Sequence, residues 1–455
     1  MKLSEIAKIS LICSFSIVSL FFGFFANYWQ VADQDWFDHY QVDMESYILG
    51  RMVKSRQDGI FSAGGFPGYG SLNSTPVEYD DKPFSNQYLA YMDGLPFGAY
   101  TTYDSQICGQ GMFFSVLDKL ITASPEEKLR FFHALTSLIS AIVLAAIILW
   151  FYMEFGLTVS LFVMFSAIFS QWLVVFGRNL WWSMWAFYLP VAVIMYYLKF
   201  TGGLPNGRLF KLGVIVFISV FIKCLFNGYE YMTTTLIMMV VPVIYYLILH
   251  KVNLRESLKS LGTVALGSSL SILLSFIILC FQIASVQGNF LDGVHHIVYS
   301  LEKRTYGNPG DFPARYTPGL EANTASVLVT YLNGTFFDAK NILSSSSFGF
   351  LQSLKIKYSF LIFLFVLMPI MLYFGNNRNA AKKEGRKRVA LIYATWFSIL
   401  APLSWFIIFK AHSFVHTGMN FIVWQMPFVF FGFAECGFVI KNLLPARDRI
   451  TTRTT

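Results

Sequence analysis

Asp43 and Glu45 stand two residues apart, soon after the first long apolar run of the chain. The stretch that follows sets Ile48, Leu49, Met52 and Val53 near helical spacing, with Arg51, Lys54, Arg56 and Asp58 elsewhere. That pattern predicts an amphipathic helix lying along a membrane interface, stopped by Gly59. Two readings of the acids stand. A carboxylate at a helix start caps it. A carboxylate partly buried at a membrane surface can instead take a proton from a reacting group as a general base. Further along the same segment, Tyr103-Asp104-Ser105-Gln106 runs into Gly109-Gln110-Gly111, a glycine-containing turn that would approach another surface closely.

Cationic residues gather where apolar runs end. Arg178-Asn179-Leu180-Trp181-Trp182 reads either as an Arg and Trp interface anchor or as part of a site. Lys223 lies inside an apolar run, about one turn from its end, just before Asn227-Gly228-Tyr229-Glu230-Tyr231. It can snorkel outward, pair with Glu230, or serve function, since an intramembrane lysine is costly. In Lys410-Ala411-His412-Ser413-Phe414-Val415-His416-Thr417 the two histidines are four apart. Zinc is one reading, but the glutamate of the His-Glu-x-x-His pattern is missing; anion binding by His and Lys and ordinary interface polarity are the others. Glu435, inside the last apolar run, reads as a structural carboxyl group. Cys13, Cys108, Cys224, Cys280 and Cys436 show no pairing that marks a disulfide framework or a zinc site, and read as small buried apolar residues.

The elements that must position these groups are membrane helices. The chain is 55% hydrophobic and 13% charged, against about 25% charged in a soluble domain. Its apolar residues come in runs of about 18–22, the length a helix needs to cross the hydrocarbon layer, where only internally hydrogen-bonded structure survives. The alternating ten-residue pattern of a membrane barrel is not seen. The fold class expected is an all-α polytopic membrane protein of about ten transmembrane helices, over 8–28, 133–153, 157–177, 182–199, 210–227, 232–250, 261–285, 358–375, 389–410 and 419–440. The first run is too long for a signal peptide and ends without a small-residue cleavage site, so it reads as an uncleaved helix.

Basic residues set the orientation. Arg378, Lys382, Lys383, Arg386, Lys387 and Arg388 crowd one short loop; Lys199, Arg208 and Lys211 fill another; Lys251, Arg255 and Lys259 fill a third. With the basic tail 441–455 they put both termini in the cytoplasm. The net charge of +8 therefore reports topology, and without a nucleic-acid-binding motif it excludes nucleic acid as a partner. Two long segments, 29–132 and 286–357, then lie on the other side. The first is acidic, with Glu78, Asp80, Asp81, Asp93 and Asp118 among its acids; the second carries His295, His296, Glu302, Lys303 and Arg304. Neither shows a soluble core of its own, so residues 1–455 read as one membrane-embedded domain. Loops of this length are uncommon unless functional. Asn73 and Asn333 begin glycosylation-type triplets, which are frequent by chance.

On these residues the chain resembles the GT-C fold glycosyltransferases, multi-spanning enzymes that use polyprenyl-phosphate-linked sugars. The resemblance rests on five features. They are the acids Asp43 and Glu45 with the helix behind them, the Tyr103-to-Gly111 stretch, Arg178-Asn179-Leu-Trp-Trp, Lys223 with Gly-Tyr-Glu-Tyr, and Lys410-Ala-His412-Ser with His416-Thr. In size and layout it is most similar to the bacterial and phage-encoded transferases that add glucose to O-antigen and convert serotype. Many relatives have adjacent acids in the first loop, whereas Met44 separates them here and Asp33, Asp35 and Asp38 lie close by.

The resemblance implies an inverting transfer of a single sugar from undecaprenyl phosphate to a periplasmic glycan such as O-antigen, in the bacterial inner membrane. It implies that Asp43, or secondarily Glu45, deprotonates the acceptor hydroxyl. Arg178, Lys223 and His412, with Lys410 and His416, would hold the lipid phosphate, and Tyr103, Gln106, Gln110, Tyr229 and Glu230 would support the site or meet the acceptor. No cofactor is required, although an acidic cluster can bind Mg²⁺.

The chemistry needs the same ingredients on its own terms: a base for the attacking hydroxyl, fixed positive groups for the departing phosphate, and an apolar groove for the carrier. Three other functions compete. A transporter or flippase would place polar groups near the bilayer midplane on paired repeats. An O-antigen polymerase or ligase would take an oligosaccharide from a diphosphate carrier. A non-catalytic anchoring protein needs no site.

Overall fold

The computed structural model describes residues 3–75, 84–203, 208–343, 349–374 and 382–443. Glu78, Asp80 and Asp81, Arg378 of the basic loop, and Arg447, Arg449 and Arg453 of the tail lie outside the described residues. The molecule is mostly helical, and its apolar helices make it a multi-pass membrane protein.

The chain opens with α1 (Leu3–Ala26), α2 (Gln34–His39), α3 (Val42–Asp58), α4 (Phe84–Asp93) and α5 (Gly109–Leu120). The next group is α6 (Pro125–Phe155), α7 (Leu157–Ile168), α8 (Gln171–Gly177), α9 (Trp185–Thr201), α10 (Leu209–Asn227), α11 (Met232–His250) and α12 (Leu254–Gln287). A run of shorter helices follows: α13 (Phe290–Arg304), α14 (Thr317–Leu320), α15 (Thr324–Asn333), α16 (Ala339–Ile342) and α17 (Gly349–Gln352). The last group is α18 (Tyr358–Phe374), α19 (Lys382–Ser398), α20 (Leu400–Ile408), α21 (Lys410–Val415), α22 (Thr417–Asn420) and α23 (Phe428–Leu443). Among the described residues two antiparallel ribbons interrupt the helices. β1 (Gly68–Ser71) pairs with β2 (Ala99–Thr102), and β3 (Thr335–Asp338) with β4 (Lys355–Lys357).

Each of the ten predicted ranges carries helix. Among the described residues six helices are long and apolar enough to cross a membrane: Ser4–Ala26, Pro125–Phe155, Leu209–Asn227, Met232–His250, Leu254–Gln287 and Glu384–Ile408. Two further ranges are broken. α7 and α8 meet at 65°, and the Thr417–Gln425 segment meets α23 at 41°. Counting each bent pair as one span gives up to 8; Trp185–Thr201 and Tyr358–Leu372 are shorter apolar helices. The bend after α7 has a local cause, since Ser170 caps a new helix by accepting from the Leu173 N–H, restarting the chain in a new direction.

The interior is aromatic. Trp150, Tyr245, Phe151 and Phe431 pack edge to face between α6, α11 and α23, arrangements that favour the ring quadrupoles. The segment that reads as an interface helix is α3, and its end at Gly59 (φ 97°) matches expectation. Its surroundings do not match a helix with one free polar face. Residues Glu45–Val53 are buried, including Arg51 at 0% exposure. Arg51 donates to Ser55 Oγ, Ser62 Oγ and the carbonyls of Ser62 and Gly59, which is how a buried guanidinium is satisfied. α3 is thus clamped among α4, α5 and β1 and carries its first turn as a rigid fixture.

Candidate functional site

Two cavities flank the first turn of α3, and an apolar groove adjoins one of them. Half-buried Asp43 faces a polar cavity of about 490 Å³. The same cavity is lined by Lys303 and Arg304 from the end of α13, Arg315 and Tyr316 from the turn before α14, and His412 and His416 around α21. It adjoins an apolar groove of about 190 Å³, walled by Ile272, Phe276 and Leu279 of α12, Ile297 and Leu301 of α13, and Trp405 and Phe409. Tyr103, Ser105, Glu230 and Arg304 line both.

The cations are delivered by close packing of α13 on α12. A Cβ at Gly293 would lie 2.6 Å from Cys280 Cα, so only glycine allows the approach. Lys303 Nζ sits over the Tyr316 ring at 4.8 Å and the Tyr299 ring at 5.3 Å, a cation–π arrangement. Burial, with Arg304 and Arg315 alongside, pushes its ammonium down to about 8. Arg304 approaches Glu230 Oε1 at 3.9 Å and lines the cavity beside Tyr103. Tyr103 is itself stacked on Tyr47 and set edge-on to Trp181.

Glu230 and His412 face each other across the junction of cavity and groove. Glu230 Oε2 lies 3.7 Å from His412 Nε2. Among the described residues neither Glu230 Oε2 nor His412 Nδ1 has a hydrogen-bond partner, and buried polar atoms in that state call for an explanation. Burial, then Arg304 and Lys303, push the His412 imidazole down to about 3. His412 is therefore neutral near pH 7 and offers hydrogen bonds there, in place of the positive charge expected of it.

Glu45, two residues from Asp43, faces elsewhere. Its Oε1 accepts from Tyr88 Oη at 3.1 Å and lies 2.9 Å from His133 Nε2, and its Oε2 accepts the Leu180 N–H at 3.0 Å. Burial opposes its charge, but His133, the Leu180 N–H and Arg178 outweigh burial and hold the carboxyl below its usual range. A carboxylate so stabilised is a poor proton acceptor. It lines the other cavity, of about 660 Å³, with Asp38, Tyr40, Tyr88, His133, Arg178 and Asn179.

Three expected phosphate ligands are not brought to the Asp43 cavity. Arg178 pairs with Asp38 at 3.1 Å and lies over the Phe37 ring at the Glu45 cavity. Lys223 is 0% exposed and donates to the carbonyls of Gly228 (2.9 Å) and Glu230 (2.6 Å). It neither snorkels nor pairs with a carboxylate; it ties down the turn that presents Glu230. That turn needs Gly228 (φ 53°), where a Cβ would meet Gln106 Cβ at 2.6 Å. Lys410 Nζ donates to the carbonyls of Leu320 and Ala322, pinning α14.

Of the supporting residues, Tyr103, Gln106, Tyr229 and Glu230 line the groove. Gln110 donates to the Trp181 carbonyl and ties down the backbone there. The close approach expected of the Gly109 turn is present, since a Cβ there would lie 2.8 Å from the Leu225 carbonyl oxygen.

Compared with protein-family models, curated proteins and solved structures, the chain matches none.

The site therefore speaks through its own geometry. It can hold an anion among Lys303, Arg304 and Arg315, offer a carboxylate at Asp43, and accept an apolar chain alongside. Among the described residues no three His, Cys, Asp or Glu side chains converge on one point. Lys303, Arg304 and Arg315 escape the expected ligand set. Their signal was available: cations in a segment read as non-cytoplasmic run against the positive-inside bias and so need a reason.

Proposed function

We propose that this protein is a glycosyltransferase that moves a sugar from a polyprenyl-phosphate carrier to a glycan acceptor. The observation that carries the reading is one cavity combining Asp43 with Lys303, Arg304 and Arg315 and opening into an apolar groove. A lipid phosphate has those two halves, an anion and a hydrocarbon chain. In the proposed step the acceptor hydroxyl attacks the anomeric carbon while Asp43 takes its proton. The carbon–oxygen bond to phosphate breaks, its electron pair leaving with the lipid phosphate, whose charge the three cations stabilise. Direct displacement inverts the anomeric centre. The resemblance supplies the finer reading: undecaprenyl phosphate as carrier, glucose as sugar, periplasmic O-antigen as acceptor, and the bacterial inner membrane as location.

The test is mass and linkage analysis of lipopolysaccharide from cells with and without the gene, and with Asp43→Asn in its place. A hexose branch present only with the wild-type gene supports the reading; identical glycans in all three overturn it. Three clustered cations would also suit the diphosphate carrier of an O-antigen polymerase or ligase. The same preparation separates the two, because loss of a polymerase shortens chains whereas loss of a branching transferase leaves length intact.

A further inference from the structure

The residues of α13 fall into three stripes. At 3.6 residues per turn, Gly293, Ile297, Ser300 and Arg304 share one side, which packs on the protein. Gly293 and Ser300 are buried, and Ile297 and Arg304 line the groove. Leu291, Val294, Val298 and Leu301 share a second side, and all four are exposed, Leu291 at 57% and Leu301 at 52%. Asp292, His295, Tyr299 and Glu302 share the third, which is polar and exposed at His295, Tyr299 and Glu302. A surface helix in water needs two sectors, apolar inward and polar outward. α13 has both, and an uncovered apolar sector besides. That is the pattern of an interface helix, the role the sequence suggested for α3, which is enclosed by protein instead.

What covers the extra sector follows from where the chain comes from. α12 is long and apolar enough to cross a membrane. Its exposed Leu266, Leu270, Leu273, Ile277 and Phe281 recur every three or four residues and form one lipid-facing stripe. Gly288 (φ 90°) ends α12, and Asn289 starts α13 by accepting the Leu291 N–H. α13 then doubles back, since Gly293 packs against Cys280, about 10 Å along the axis from the end of α12. Phe281, the last member of the stripe, meets Phe290 with ring centroids 5.0 Å apart. The apolar surface therefore passes from the span onto α13 without a break.

We infer that α13 is seated in the membrane–water boundary, with Leu291, Val294, Val298 and Leu301 against the acyl chains and the stripe of Asp292 and Glu302 in the headgroup and water layer. Lipid covers the α12 stripe that this surface continues, and a protein partner would have to displace it. The polar stripe carries two carboxylates and no Lys or Arg, so the attachment is apolar and does not depend on anionic lipid. The seat also fixes the depth of Lys303 and Arg304, in the last turn of the same helix: an anion held there lies at headgroup level. That this anion is the donor's phosphate rests on the transferase reading; the seat itself does not.

The test is photocrosslinking of the full chain in liposomes of zwitterionic phospholipid. One variant carries p-benzoylphenylalanine in place of Val298, which is 47% exposed; the other carries it in place of His295 on the polar stripe. The expected result is phospholipid adducts at Val298 and none above background at His295. An adduct joining two copies of the chain at Val298, no adduct there, or equal phospholipid labelling at both positions overturns the inference. Leu291 takes the place of Val298 if that variant fails to accumulate. Lipid adducts from a chain that transfers no sugar keep the seat and remove the transferase reading; transfer without lipid adducts does the reverse.

Discussion

Asp43 and Glu45, two residues apart in the first turn of α3, line two different cavities. Helical geometry sets side chains two positions apart on nearly opposite sides, so the intervening Met44 separates the acids in space as well as in sequence. The pair therefore divides its labour. Only Asp43 shares a cavity with the three cations. Asp43→Asn should lower sugar transfer by at least about 10², the usual contribution of a general base, while the protein inserts and accumulates normally. Transfer at the wild-type rate by this variant would remove Asp43 from the reaction.

Glu45 should behave as a structural anion. Its folded carboxyl titrates below the ordinary glutamate range of about 4.3. It therefore contributes stability in full above that range and loses it as pH falls through the folded value. Glu45→Gln should cost about 1–3 kcal/mol at pH 7, since the Tyr88, His133 and Leu180 contacts are built around a charge. It should also flatten the acid limb of the stability profile. Thermal melts in detergent from pH 7 down to about pH 2, well below the ordinary glutamate value, check both; a variant that melts like wild type across the range would show that the network carries no stability.

Lys303 should set an alkaline limit on donor use. Its ammonium titrates at about 8 because of burial and the neighbouring Arg304 and Arg315. Above that pH the free protein loses a positive charge from the cavity, so the donor KM should rise. Lys303→Arg should move this limb beyond the accessible range, because guanidinium stays protonated. Lys303→Met should raise the donor KM about 10- to 100-fold at pH 7, the loss of a charge-assisted hydrogen bond, and abolish the limb. A pH profile of donor KM that is the same for all three proteins would exclude Lys303 from the donor site.

The helices were readable from apolar run length, and where the observed bounds differ the cause is local. α6 begins at Pro125 and not at 133 because Ser124 and Glu127 form a capping box with Pro125 at the first helical position, which extends the helix beyond the apolar run. α12 likewise starts at Leu254, capped by Asn253 accepting from the Glu256 N–H, where apolarity alone suggested 261. The site was less readable. Asp43 and the histidine segment could be picked out by type and position. The fate of Lys410 could not, because its partners, the carbonyls of Leu320 and Ala322, lie 90 and 88 residues away and carbonyls leave no mark in a sequence. Lys303 and Arg304 were visible as residues, but their convergence with Asp43 depends on how α13 folds back against α12.

Lys223 provides the sharpest separation between a binding residue and one that shapes a site. Its Nζ is sealed from both cavities and holds the carbonyls of Gly228 and Glu230, so its charge supports the turn that aims Glu230 at Arg304 and His412. Lys223→Met removes the donor from both carbonyls, at about 1–3 kcal/mol for each one left unpaired. The expected outcome is lower accumulation and a lower melting temperature, with the donor KM of the folded fraction within about twofold of wild type. Wild-type stability with a donor KM raised tenfold would instead return Lys223 to the phosphate site. Glu230→Gln gives an independent check on the same turn. With the carboxylate neutralised, Arg304 is freed from its 3.9 Å approach, and binding of undecaprenyl phosphate itself should tighten. If Glu230→Gln weakens that binding, Glu230 is not competing with phosphate for Arg304.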